Sequence, residues 1–299
     1  AGYLNGTIKD PITMVNTRNG SIALTKDFYT AEKNGMAKNQ DTSLTATFEL
    51  YSITGDATTA VKVDKTLSPV TAGGTINITD LPRTAGKQPI KYYLVETGSS
   101  ASDYNSSETG GINSAEKTQI TVLDAAGGGS RAVQAYGPFD FTEAIDGSSE
   151  EIVLEQSITI TNVENKVPVV VQKFDSYDYA SKKETFVPGA EYTIWEYVYD
   201  DVTMNWRKGT VVINNTEIDS EDGSLAELNP GKQYVIEETY IPEGYKQAGY
   251  KNETDNKTGT DNLIIDLRNV TVDKDTDARQ IVILNKPDPS FKITKVRDN

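Results

Sequence analysis

Apolar and polar residues alternate with a period of two along most of this chain. Thr45-Ala-Thr-Phe-Glu-Leu-Tyr51, Tyr192-Thr-Ile-Trp-Glu-Tyr197, Tyr234-Val-Ile-Glu-Glu238 and Leu263-Ile-Ile-Asp-Leu267 are rich in β-branched and aromatic residues, the pattern of half-buried strands. Turn chemistry separates them: Gly73-Gly74, Asp222-Gly223, Asn229-Pro-Gly231 and Pro242-Glu-Gly244. No amphipathic helical stretch of useful length interrupts the series. Short strands at this spacing, repeated twice, predict an all-β chain of two β-sandwiches in tandem. The joint is expected at Glu164-Asn-Lys-Val-Pro168, and a second at Lys286-Pro-Asp-Pro-Ser290, whose prolines make a stiff, extended connector. Residues 20–165 and 166–288 are then the two domains. Residues 1–19 read as the end of a preceding repeat or linker, and 289–299 as the start of a following one. The first domain is the longer. Its surplus, in 98–116 and 125–137, is rich in Ser, Gly, Asn and Ala and reads as loops.

A finer pattern recurs three times. Ile12-Thr-Met14-Val-Asn16, Ile158-Thr-Ile160-Thr-Asn162 and Ile281-Val-Ile283-Leu-Asn285 each end an alternating strand on Asn. Ten or eleven residues later Ile22-Ala-Leu24-Thr-Lys26, Val169-Val-Val171-Gln-Lys173 and Phe291-Lys-Ile293-Thr-Lys295 each end one on Lys. Side chains on a strand alternate faces, so every one of these Asn and Lys residues falls on the face of its apolar neighbours. Burying an unpaired ammonium costs several kcal/mol or drives the group neutral, so an inward Lys needs a partner. Each domain supplies one. Tyr234, Ile236 and Glu238 share a face while Glu237 takes the other, and Tyr92, Leu94 and Glu96 share a face likewise.

Composition narrows the chemistry. The 299 residues contain neither Cys nor His, which excludes disulfides, thiolate sites and the commonest general base and metal ligand. A net charge of −15, spread along the chain, disfavours nucleic acid and anionic membrane as partners. No apolar run approaches a membrane span, and no signal pattern opens the chain, so any export signal or wall anchor is expected outside this fragment. No cofactor is expected.

The Lys, Glu and Asn predicted inward in each domain have a reaction available to them. In an apolar core the Lys pKa falls and the Glu pKa rises, so the amine can be neutral and nucleophilic and the acid protonated. The Asn carboxamide is the electrophile. A protonated Glu can polarise its carbonyl and carry a proton to the leaving nitrogen, releasing ammonia and leaving an amide between two strands. This is self-modification, once per molecule, and not enzymatic turnover.

The same residues resemble the Cna B-type domains of Gram-positive surface adhesins and pilins, over about nine-tenths of the chain. In the second copy Val169–Lys173, Val187-Pro-Gly-Ala-Glu-Tyr-Thr-Ile194, Tyr234–Tyr245 and Ile281–Asn285 follow the family pattern in order. Glu238-Thr-Tyr-Ile-Pro-Glu-Gly-Tyr245 is the most specific part. The first copy lacks the Pro-x-Gly-Tyr tail after Glu96. The resemblance implies immunoglobulin-like sandwiches of transthyretin-like topology, with isopeptide bonds Lys26–Asn162 assisted by Glu96 and Lys173–Asn285 assisted by Glu238. Asn16 and Lys295 look like cross-linking residues of domains outside the chain. It further implies an extracellular, cell-wall-attached shaft or stalk whose partners are neighbouring domains or subunits of the same fibre.

A second reading stays open at this point: an adhesin domain that grips a host protein or glycan through the long loops of the first domain. A hydrolase reading has only scattered acids and no nucleophile motif behind it. Asp273-Lys-Asp275-Thr-Asp277 is spaced like a calcium loop but lacks the glycine and the twelfth-position Glu; it reads as a solvated hairpin tip, and no metal is expected. Trp195 and Trp206 read as core or sheet-face aromatics ahead of a sugar platform.

Overall fold

The computed structural model describes residues 18–100, 104, 116–123, 129–141 and 153–289. The chain is all-β, with one short helix among the described residues. The first half contains β1 (Gly20–Glu32), β2 (Gly35–Asn39), β3 (Thr45–Thr54), β4 (Thr59–Lys62), β5 (Val70–Thr71), β6 (Thr75–Leu81), β7 (Thr84–Ala85), β8 (Gln88–Ser99), β9 (Thr118–Leu123), β10 (Ser130–Asp140) and β11 (Glu155–Val163). The second half contains β12 (Val167–Asp175), the single turn α1 (Ser176–Ala180), β13 (Ala190–Asp200), β14 (Asn205–Ile218), β15 (Ser224–Leu228), β16 (Gln233–Tyr240), β17 (Tyr245–Asn252), β18 (Lys257–Gly259), β19 (Leu263–Asp266) and β20 (Arg279–Pro287).

In each half the first and last strands lie side by side and run parallel: β1 with β11, and β12 with β20. Parallel neighbours cannot be joined by a tight hairpin. Here the rest of the half intervenes between them, so its two chain ends are brought into one sheet. Opposite this sheet packs the one that carries β3 and β8 in the first half, and β13 and β16 in the second. Ile22, Leu24, Phe48, Leu50, Tyr92, Leu94 and Ile160 fill the first sandwich. Val169, Val171, Tyr192, Ile194, Ile236, Ile281 and Ile283 fill the second. The inward members follow the alternation of their strands.

One expectation fails. Residues 125–137, read as a loop, include most of β10, whose Val133, Ala135 and Tyr136 are buried. The pairings β3–β4, β4–β9, β9–β10, β10–β8 and β8–β3 close on themselves. They enclose a separate core of Tyr51, Ala60, Tyr93, Val95, Ile120, Val122, Val133 and Ala135. Tyr51 and Tyr93 take up much of this small core, leaving room for only Val133 and Ala135 from β10, and the strand's alternation is muted in the sequence. As a result β8 is covered on both faces: Leu94 and Glu96 point into the sandwich, and Tyr93 and Val95 into the added core.

The halves meet through the β1–β2 hairpin. The Met36 N–H donates to the Thr276 carbonyl at 3.0 Å, and Tyr29 and Met36 pack on the second core. The acidic tip at Asp273–Asp277 is a closed turn, in which Asp273 accepts from the Asp275 N–H at 2.9 Å and the Thr276 hydroxyl at 3.1 Å. Glu164, directly after β11, ties that strand's end to β1, accepting from the Thr30 hydroxyl at 2.5 Å and the Ala31 N–H at 3.1 Å.

Candidate functional site

Strand register decides which side chains meet. Lys26 on β1 lies opposite Ile160, and Phe28 opposite Asn162, on β11. Lys173 on β12 lies opposite Ile283, and Asp175 opposite Asn285, on β20. In both halves Lys and Asn are therefore diagonal neighbours across a parallel pair, offset by the same two residues and facing the core. Lys26, Asn162, Lys173 and Asn285 are fully buried.

A glutamate from the opposite sheet reaches each pair. Asn162 Nδ2 donates to Glu96 Oε1 at 2.5 Å, and Lys26 Nζ stands 3.5 Å from both carboxylate oxygens. In the second half Lys173 Nζ and Asn285 Nδ2 both donate to Glu238 Oε1, at 2.5 Å and 3.0 Å. The side chains of Glu96 and Glu238 expose no surface. Thus Lys26, Glu96 and Asn162 form one cluster and Lys173, Glu238 and Asn285 another. Asn16 and Lys295 lie outside the described residues.

The glutamates share a backbone device that the sequence reading missed. The β3–β8 ladder runs Phe48 opposite Glu96, then Thr47 opposite Gly98, so Thr97 is an extra residue. The β13–β16 ladder runs Tyr192 opposite Glu238, then Glu191 opposite Tyr240, so Thr239 is extra. A β-bulge re-aims the side chains beside it, and both halves place one directly after the acid. The only trace in the sequence is a Thr following each Glu.

Burial dominates the electrostatics. Desolvation brings both Lys26 and Lys173 down to about 8, against the opposing pull of Glu96 and Glu238. Desolvation likewise raises Glu96 and Glu238, against the pull of their lysines and the Asn hydrogen bonds. Moving a proton from Lys to Glu neutralises two buried charges at once, so both shifts lower the cost of a neutral amine beside a neutral acid. Lys26 Nζ also sits 5.0 Å from the centre of the Phe28 ring, a contact that works against the shift because a ring face attracts a cation. The carbonyl oxygens of Asn162 and Asn285, and Glu238 Oε2, are buried without a hydrogen-bond partner. Each such atom costs about 1–3 kcal/mol, so both clusters hold polar atoms that the fold has not satisfied.

A third Lys–Asn pair, in direct contact, lacks these features. Lys166 Nζ donates to Asn229 Oδ1 at 2.9 Å on the exposed surface. Trp206 stacks on Tyr197 at 5.4 Å with its surface 43% exposed, a sheet-face aromatic. Among the described residues no group of His, Cys, Asp or Glu is placed to hold a metal ion.

No protein-family model matches the chain, and no curated protein matches it. Solved structures do. The chain is similar to shaft pilin SpaA from Lactobacillus rhamnosus GG, at 15% identity and a TM-score of 0.33, over 91% of this chain and 99% of that one. It is similar to the C-terminal fragment of pilus adhesin SpaC from the same organism, at 13% identity and a TM-score of 0.29, over 92% and 100%. The Streptococcal ancillary pilin aligns at 15% identity and a TM-score of 0.25, over 92% of this chain and 64% of that one. These scores are low, and the functional argument below rests on the chain's own side chains.

Proposed function

We propose that this chain is a segment of a Gram-positive cell-surface fibre, a pilin-like shaft or adhesin stalk, in which each half is a Cna B-type domain closed by its own Lys–Asn isopeptide bond. The observation that carries the reading is a Lys and an Asn buried at the same register on the first and last strands of both halves, each pair met by a Glu from the opposite sheet. Two such coincidences are not needed to stabilise a sandwich. Apolar residues of similar volume would often do as well or better than a buried ion pair.

The reaction balances without any co-reactant. The neutral Nζ of Lys173 attacks the Cγ of Asn285, forming the N–C bond of a tetrahedral intermediate. Glu238, as the acid, polarises the carbonyl and protonates Nδ2. The C–N bond to Nδ2 breaks, Glu238 takes the surplus proton from Nζ, and ammonia leaves. Lys26, Asn162 and Glu96 follow the same course. A half-turn of either carboxamide puts its unpartnered Oδ1 on the glutamate, where a protonated acid can donate to it. The fold supplies proximity, worth up to roughly 7–11 kcal/mol of barrier in well-oriented systems. The product is a neutral amide, so the desolvation cost of the ammonium ends with the reaction.

The bonds have a mechanical consequence. Tension entering through Lys26 passes to Asn162 across the first bond, along the chain to Lys173, and across the second to Asn285. The strands between 26 and 162, and between 173 and 285, stand outside that path and need not unfold. Domain limits of 20–165 and 166–288, and further domains joined through Asn16 and Lys295, belong to the same proposal. Loss of one ammonia per bond, read as intact mass, tests it.

A further inference from the structure

We propose that Tyr250 is a positioning residue for cross-linking in the second half, its hydroxyl holding the Glu238 backbone from across the core. This inference rests on the cross-linking reading above.

Tyr250 lies on β17, next to β20 in the sheet that carries Lys173 and Asn285. Glu238 lies on the other sheet. The Glu238 N–H donates to the Tyr250 hydroxyl at 2.8 Å, a bond that spans the sandwich and ends on the backbone of the acid itself. Two bulges make it. On β16 the extra residue Thr239 breaks the ladder to β13 directly after Glu238. On β17 the register to β20 shifts between Gln247 and Gly249, so that Tyr250 opposes Ile283. Without that shift Tyr250 would oppose Val282, and a one-residue slip would turn its ring to the outer face. Gly249 has φ +134, and a Cβ there would stand 2.8 Å from the Gly259 carbonyl oxygen, so the bulge requires glycine. The chain thus spends a constrained glycine on turning a tyrosine inward, and the hydroxyl goes to the acid.

Tyr250 is buried, and desolvation holds its hydroxyl well above the usual phenol range. It acts as a neutral hydrogen-bonding group. With the N–H fixed, the Glu238 carboxyl swings about its side-chain torsions alone, and Oε1 stays within reach of both Lys173 and Asn285. The first half offers an internal control. Among the described residues β11 pairs within its sheet only with β1, and beyond its end Glu164 bridges Tyr104, so the described first half offers no counterpart of Tyr250.

The test follows bond formation in freshly synthesised chain, quenched at successive times, with peptide mapping to separate Lys173–Asn285 from Lys26–Asn162. Tyr250→Phe keeps the ring and removes the hydroxyl. It is expected to slow the second bond by ~10-fold or more, since displacement of a reacting group by about 1 Å can cost a hundredfold, and to leave the first bond unchanged. The pH profile at the second site should also move. A less firmly held Glu238 relaxes toward an ordinary carboxylate, so the high-pH limb, where the acid loses its proton, falls at lower pH. Equal rates with an unchanged profile would overturn the proposal, as would equal slowing of both bonds. Wild-type chain that forms no second bond would remove the cross-linking reading and this inference together, a result distinguishable from either.

Discussion

Lys173 and Asn285 donate to the same oxygen of Glu238, at 2.5 Å and 3.0 Å. One carboxyl therefore touches both the amine that would attack and the nitrogen that would leave. Glu238→Gln keeps the shape but cannot pass a proton between them. We expect it to abolish the Lys173–Asn285 cross-link and spare Lys26–Asn162, with Glu96→Gln doing the reverse. Peptide mapping of each variant decides; a cross-link that survives loss of its own glutamate would show that proximity and burial suffice.

The exposed pair Lys166–Asn229 is a built-in negative control. Its 2.9 Å contact joins Lys to Asn directly, but on the exposed surface and outside the apolar cores. No Lys166–Asn229 cross-linked peptide is expected, even after long incubation. Finding one would mean that contact alone drives the reaction.

Blocking the bonds exposes the cost of burial as a pH dependence. Consider Asn162→Ala/Asn285→Ala, which keeps the lysines and removes the electrophiles. Each buried Lys has a folded pKa of about 8 against 10.5 when free, so between those values the unfolded chain binds more protons. Stability must then rise with pH across that window. Glu96 and Glu238 shift upward, so the folded chain binds more protons just above the ordinary carboxylate range, and their contribution falls as pH rises there. The double variant is expected to gain stability relative to wild type between about pH 8 and about pH 10, read by urea melts. A constant difference would mean that the lysines are not held near neutrality.

Lys173→Met removes the second bond without leaving a buried charge. Closing a loop of this length is worth roughly 5 kcal/mol in the chain-entropy model, partly offset because an apolar side chain is easier to bury than an ammonium. The second half should melt roughly 10–20 °C lower, and reducing agents should not reproduce the effect. Under end-to-end pulling the variant should gain a length step that wild type lacks. An unchanged melt together with no new step would count against a covalent closure.

Much of the site could be read in the sequence because strand alternation is strict where one face is buried. Lys26, Glu96, Asn162, Lys173, Glu238 and Asn285 all sit at inward phases of their strands, and register then brings them together. The sequence is quieter where the period slips. The extra residues Thr97 and Thr239 carry no glycine signal, and the bulge that turns Tyr250 inward shows only as Gly249 in a Gln-Ala-Gly-Tyr stretch. The strand β10 was missed for a different reason. Its interior positions hold Val133 and Ala135 in a small closed ring, and a buried alanine reads as loop composition. Which sheet a strand joins is set by long-range pairing, as with the β3–β4–β9–β10–β8 ring, and no local pattern encodes it.

The most direct measurement is the intact mass of the folded, wild-type chain. The account predicts a mass below the sequence mass by two molecules of ammonia, and by one in each of Lys26→Ala, Glu96→Ala, Lys173→Ala and Glu238→Ala. A wild-type mass equal to that of the sequence would contradict it, and would leave both buried clusters as ordinary hydrogen-bonded ion pairs.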